Sequence, residues 1–114
     1  RPAIPAVNAL YRAKNNKDLN DNTGREITAV MVLADAINRA GSTDPEAIRK
    51  ALVATNMDDA QLIMPWAGVK FDAKGQNDKG SGLILELKGS QYHTVWPEKY
   101  KLDSTMPTLP FSWK

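Results

Sequence analysis

Residues 65–77 read PWAGVKFDAKGQN, and whether this stretch is a ligand loop or a corner between strands decides how the whole chain is read. Gly68 to Phe71 is β-prone, and Asp72-Ala73-Lys74-Gly75 stops it. An EF-hand loop needs oxygen ligands at alternate positions and Gly at the sixth. Counted from Asp72, the third, fifth and sixth places are Lys74, Gln76 and Asn77, so calcium is excluded. A phosphate loop needs several glycines and a Gly-Lys-Ser/Thr ending before a helix, so that backbone N–H groups converge on one anion. Here a single glycine precedes a polar turn. What remains is a structural corner, with Asp72 accepting the backbone N–H two residues on and Gly75 closing the turn.

Composition limits what any motif can mean. With 114 residues, 42% hydrophobic and 25% charged, the chain matches one soluble globular domain. It holds no apolar run near the roughly 18 residues of a membrane helix. The net charge of +2 is small and its bases are interleaved with acids, which argues against a nucleic-acid partner. Without cysteine there are no disulfides and no thiol chemistry, a usage that fits an oxidising compartment or the cytoplasm. The start, Arg1-Pro2-Ala3-Ile4-Pro5, lacks an initiator Met and a signal segment, so the chain reads as cut from something longer.

Outward from the corner, the N-terminal half is helical. Ile4, Val7, Leu10 and Tyr11 share one helical face, with an end near Asn15-Asn16. Lys17 to Thr23 reads as a polar surface connection. Glu26 to Ala40 is the strongest helix, with Ile27, Val30, Leu33, Ala34 and Ile37 as its buried stripe, widened by Met31, and Gly41 as its left-handed cap. In GSTDPEAIRKAL, Thr43 or Asp44 can cap, Pro45 suits the first position, and Ile48, Ala51 and Leu52 supply the buried face to about Thr55-Asn56. Beyond residue 62 the runs Gly68–Phe71, Gly82–Leu87 and Tyr92–Trp96 read as strands, the second nearly continuous in apolar residues and so buried-looking. After Pro97 an extended, Pro-containing tail is expected.

Three helices and a two- or three-stranded meander make an incomplete core, because an isolated hairpin is marginal in water. Three blocks then carry a resemblance: AVMVLADAINRAGSTDPEAIRKALVATN, IMPWAGVKFDAKGQN and GLILELKGSQYHTVWPEKY. Their order resembles the C-terminal portion of periplasmic solute-binding proteins of the branched-chain amino acid (Leu/Ile/Val) ABC-transporter family, type I, from about Pro5 to Trp113. The resemblance implies an α/β fold, the C-terminal fragment of a two-lobed periplasmic-binding-protein architecture, roughly its last third. It implies a helical part at about 4–56 and a β-rich, hinge-proximal part at about 62–114. On the same basis the FDAKG turn belongs to the scaffold joining the lobes. The implied partners are a small-molecule solute, an amino acid or other small carboxylate, and an ABC transporter permease. The implied location is periplasmic, and no cofactor is implied.

The family's principal ligand contacts lie in segments preceding this one. Clefts of α/β proteins collect ligands at helix N-termini and strand carboxyl ends, which singles out the start of the second helix. Arg25 there can pair bidentately with a carboxylate. It can equally be a solvated helix-end charge or a partner of Glu26 or Asp21. Trp66 can line a cleft rim or pack against a lobe, and Trp96 and Trp113 read as packing anchors. His93, alone and without cysteine, makes no zinc site. No Gly-x-Ser-x-Gly elbow or recognisable triad is present, and Asp58-Asp59 reads as a solvated loop pair, so no catalytic residue is assigned. A solute-binding fragment thus stands beside a ligand-sensing domain of a receptor or regulator with the same fold. The uncovered helix stripe and the apolar strand further imply that the fragment self-associates.

Overall fold

The computed structural model describes residues 3–104 and residue 107. Trp113 and most of the expected extended tail lie outside the described residues. The chain divides into two compact units, Arg1–Ser81 and Gly82–Lys114. Three helices are followed by two separate two-stranded antiparallel sheets, a mixed α/β chain.

The first unit opens with α1, Ala3–Asn15, which has no buried residue. Asn8 ties the following linker back onto it: its Oδ1 accepts the Leu19 N–H at 2.8 Å and its amide donates to Asp18 Oδ1 at 2.8 Å. The next helix, α2, spans Asp21–Ala40 and so starts five residues before the expected Glu26. The Asp and Asn residues read as a connection are its cap and first turn. Asn20 accepts the Thr23 N–H at 3.0 Å, and Asp21 sits at the positive helix end. At the other end Gly41, at φ 58°, donates its N–H to the Ile37 and Asn38 carbonyls, as its sequence position implied.

The buried face of α2 differs from the expected stripe. Gly24, Thr28, Val32 and Ala36 are buried, at i, i+4 spacing. Val30 and Leu33 are exposed, and Ile27, Met31 and Ile37 are only partly covered. The packed side carries small residues, and at Gly24 the missing side chain makes room for Met64. A Cβ on Gly24 would lie 2.9 Å from Met64 Sδ. Thr28 is accommodated by donating its hydroxyl to the Gly24 carbonyl at 2.8 Å.

The third helix, α3, spans Pro45–Val53, with Asp44 accepting the Ala47 N–H at 3.0 Å and Pro45 in the first turn, as the sequence implied. Arg39 holds α2 to α3. Its Nε donates to Asp35 Oδ2 at 2.8 Å, its Nη1 to the Ala51 carbonyl at 2.8 Å and its Nη2 to Thr55 Oγ1 at 2.9 Å. The neighbouring Lys50 and Leu52 carbonyls take the Ala54 and Thr55 N–H groups, and the Ala51 carbonyl between them is served by side chains, the Arg39 guanidinium and the Thr55 hydroxyl.

Directly after α3, β1 (Asn56–Asp58) pairs antiparallel with β2 (Gly68–Lys70), Met57 opposite Val69. A 3-10 turn, Asp59–Gln61, and the buried Leu62, Ile63 and Met64 connect them. Val32, Met57, Leu62 and Val69 form the core, with Leu52, Trp66 and Phe71 packed against it. The sequence expectation paired the 68–71 run within a meander and had no strand at 56–58. Three residues alternating polar, apolar, polar carry too weak a period to declare themselves.

The far edge of β2 is closed by the corner itself. Asp72 Oδ1 accepts the N–H groups of Lys74 (2.8 Å) and Gln76 (2.9 Å), and the Gly75 N–H returns to the Asp72 carbonyl at 3.0 Å. Asn77 then imitates a strand: its Oδ1 accepts from Lys70 N at 3.0 Å and its amide donates to the Gly68 carbonyl at 3.1 Å. This is the turn chemistry read from the sequence, with the carboxylate occupied by backbone donors.

In the second unit, β3 (Ile84–Lys88) and β4 (Gln91–Trp96) form an antiparallel hairpin with an irregularity between Ile84 and Leu85. Gly89 (φ 54°) and Ser90 (φ 67°) make the two-residue turn, both left-handed, matching the twist of the strands. A 3-10 turn, Glu98–Tyr100, follows. The expectation that Gly82–Leu87 is a buried strand is corrected: no residue of β3 is buried, and Ile84 and Leu87 are 58% and 59% exposed.

Arg39→Ala should lower the unfolding free energy by about 2 kcal/mol in urea titration, since it strips two carbonyl and hydroxyl acceptors at once. Asp35→Asn, which removes only the partly exposed ion pair, should cost under about 1 kcal/mol. Equal effects would reduce the clamp to an ordinary surface pair. Gly68→Ala should cost more than about 2 kcal/mol by the same assay, because its Cβ would lie 2.3 Å from the Met57 carbonyl oxygen.

Candidate functional site

Both residues singled out from the sequence, Arg25 and Trp66, line one cavity of about 370 Å³ in the first unit. The flank of α2 supplies Arg25, Thr28, Ala29, Val32 and Leu33, the end of α3 supplies Leu52, and Val69, Phe71 and Asn77 complete the wall opposite. Trp66 reaches it because the 62–67 segment is anchored by Leu62 and Met64 against the helices and by the Ala67 N–H on the Lys79 carbonyl at 3.0 Å. Its ring packs against the core and is neither fully buried nor fully exposed.

The lining is apolar apart from three side chains, and each of these has partners. Arg25 lies in the second turn of α2, where its Nη2 donates to Asp21 Oδ2 at 2.8 Å and to Asn22 Oδ1 at 2.7 Å. Its side chain is 54% exposed. The pairing with Asp21 is one of the alternatives left open by the sequence. Thr28 is buried with its hydroxyl on Gly24. Asn77 braces β2 and also accepts the Lys79 N–H at 3.1 Å. Sequence reading did not find Leu52, Phe71 or Asn77 as lining residues. Leu52 was assigned to the core and Phe71 to a strand, and nothing local in the sequence says that both end at the edge of the core.

A neighbouring cavity of about 350 Å³ shares Leu52 and Phe71 and is bordered by Arg49 and Asp72. Arg49 is held by Glu46 through Nε–Oε2 at 2.8 Å and Nη2–Oε1 at 2.7 Å. That hydrogen bond, reinforced by the guanidinium charge, holds the Glu46 carboxyl below its usual value of 4.5. A depressed carboxyl stabilises the fold above its unfolded value and loses that contribution as the pH falls through the folded one. The pair is at the surface and the contribution is correspondingly small.

In the second unit, His93 Nδ1 lies 3.1 Å from Asp103 Oδ2 and its cross-strand neighbour is Glu86. Among the described residues no group of three or more His, Cys, Asp or Glu is placed to hold a metal ion. Asp58 closes β1 and Asp59 begins the 3-10 turn, where the Asp58 N–H donates to Gln61 Oε1 at 3.0 Å. Among the described residues no helix is long and apolar enough to cross a membrane.

No family model matches the chain. It is similar to the Leu/Ile/Val-binding protein homolog 7 of Brucella suis biovar 1 (strain 1330), 24% identical over 100 residues that cover 85% of this chain and 24% of that protein. The homolog 7 of Brucella melitensis biotype 1 (strain ATCC 23456 / CCUG 17765 / NCTC 10094 / 16M) matches with the same identity and coverage. That of Brucella abortus (strain 2308) is 28% identical over 67 residues, 59% of this chain and 16% of the relative. The chain spans about a quarter of the length of the curated relatives it matches. These distant relatives are named as binding proteins and not as enzymes.

Proposed function

We propose that this chain is the C-terminal part of a two-lobed periplasmic solute-binding protein, which captures a branched-chain amino acid or related small carboxylate and delivers it to an ABC transporter permease. The observation that carries this reading is the likeness along 100 residues to a protein named for binding leucine, isoleucine and valine. The cavity supports it: an apolar wall suits a branched side chain, and Arg25 is a cation at its border. Within this reading residues 4–56 are the helical part of a lobe and 62–114 the hinge-proximal part. The reading assigns no catalytic role to any residue. Arg25 and Trp66 are its ligand contacts, Arg25 on the carboxylate and Trp66 on the apolar body.

The 114-residue chain alone supplies only one wall of such a site. Calorimetry should therefore detect no binding of leucine, isoleucine or valine to it at micromolar concentrations, because affinity requires enclosure from both lobes. In the full-length protein Arg25→Ala should weaken binding by about tenfold or more, the loss of one charge-assisted contact. Unchanged affinity would leave Arg25 as the partner of Asp21 and nothing more.

We also propose that the isolated chain self-associates through the hairpin. Ile84, Leu87, Tyr92 and Trp96 are all more than half exposed, and covering several hundred Å² of such surface is worth on the order of ten kcal/mol before ordering costs. Light scattering should report a dimer or larger species. A monomer over a wide concentration range, with a cooperative melt, would contradict this.

A further inference from the structure

We infer that Ala29 sets the bulk of the solute that the α2–Trp66 cavity admits, its methyl group leaving between two longer side chains the notch in which the solute's hydrocarbon body lies. The inference rests on the solute-binding reading above and adds a specificity-determining residue to it. Arg25, Ala29 and Leu33 all line the cavity. At i, i+4 and i+8 they stand one above the other on one side of α2, with successive Cβ atoms about 6 Å apart. The middle one is the shortest. Trp66 and Phe71 bound the same space, and because both pack against the core they cannot retreat to enlarge it.

Bulk is a property that one wall can decide. A polar partner for any group of the solute can come from the other lobe. A further wall, however, only removes room, so a limit set on α2 holds whatever else encloses the site.

The place of Ala29 in the fold leaves it free for this role. Gly24, Thr28, Val32 and Ala36 are the residues of α2 that meet the core, whereas Ala29 is exposed. Alanine and leucine are both strong helix formers, so exchanging one for the other here alters the cavity and not the helix. A leucine side chain on a helix leans back over the preceding turn. At this position that direction leads towards Arg25, into the notch.

The test is calorimetry with leucine, and with valine, which is one methylene shorter, on the full-length protein carrying Ala29→Leu or Ala29→Ser, each variant first checked by its thermal melt. One methylene in an apolar pocket is worth about tenfold or more, so Ala29→Leu should weaken leucine at least about tenfold more than valine. Ala29→Ser, one atom larger, should keep the wild-type ratio of the two affinities within about threefold. Both variants should melt as the wild type does. Equal weakening of the two solutes by Ala29→Leu, a greater loss for valine, or no loss would overturn the inference and leave the solute-binding reading standing. So would a changed ratio in Ala29→Ser, which would make polarity the determinant, or loss of the cooperative melt in Ala29→Leu, which would make Ala29 part of the fold. Failure of leucine, isoleucine and valine to bind the wild-type protein would overturn the reading itself, and the inference with it.

Discussion

Everything in the first unit depends on where α2 is held, and Arg39 holds it. One side chain on the last turn of α2 reaches the Ala51 carbonyl and the Thr55 hydroxyl, sixteen residues on at its furthest. The chain leaves α3 at that point and enters β1 at Asn56. Fixing the exit of α3 therefore fixes the start of the strand that carries Met57 into the core. Thr55 is buried and also donates to Ala51 at 3.2 Å, so the Ala51 carbonyl is satisfied from two directions. From there the geometry propagates outward. Met57 opposite Val69 sets the register of β2, Gly68 permits the close approach to the Met57 carbonyl, and Asn77 closes the far edge.

The second constraint is that apolar residues of α2 lie on more than one of its sides. Gly24, Thr28, Val32 and Ala36 meet the core, while Val30, Leu33 and the partly covered Ile27 and Ile37 lie on other sides. Val30 and Leu33 are thereby left exposed on the surface of the first unit.

How much of this was legible in the sequence follows from which interactions are local. Pro45, Gly41 and the Asp72 turn are decided within four residues and the sequence implied each of them, while for the cap it offered Thr43 or Asp44 and the structure uses Asp44. The start of α2 was misread because Asn and Asp serve turns and caps alike; the discriminating fact, Asn20 accepting from Thr23, is a matter of backbone angles. The buried stripe was misread for a different reason. Periodicity weights large side chains, and the buried face of α2 includes its smallest ones, Gly24, where the Met64 side chain approaches, and Ala36. Strand β1 is three residues long and exists because β2 pairs with it. For the cavity, the polarity of Arg25 and the size of Trp66 drew attention to both from the sequence. Their sharing one wall with Leu52 and Phe71 is a consequence of tertiary packing that no local pattern encodes.

The second unit obeys the opposite logic. Its turn is strongly specified, with Gly89 and Ser90 both left-handed, and its four-pair register from Lys88↔Gln91 to Leu85↔Thr94 follows from that turn, before the irregularity at Ile84. Its strands do not separate a buried face from a solvated one, since apolar Leu85 and Leu87 on β3 are exposed alongside Ile84 and none is buried. A two-stranded hairpin gains too little from its own cross-strand pairs to be stable by itself. Local bonds such as Lys101–Glu98 at 2.9 Å and His93–Asp103 at 3.1 Å add little, because a partly exposed pair gains little over its hydrated state. The turn therefore determines the shape of this hairpin, while its own cross-strand pairs contribute little to its stability.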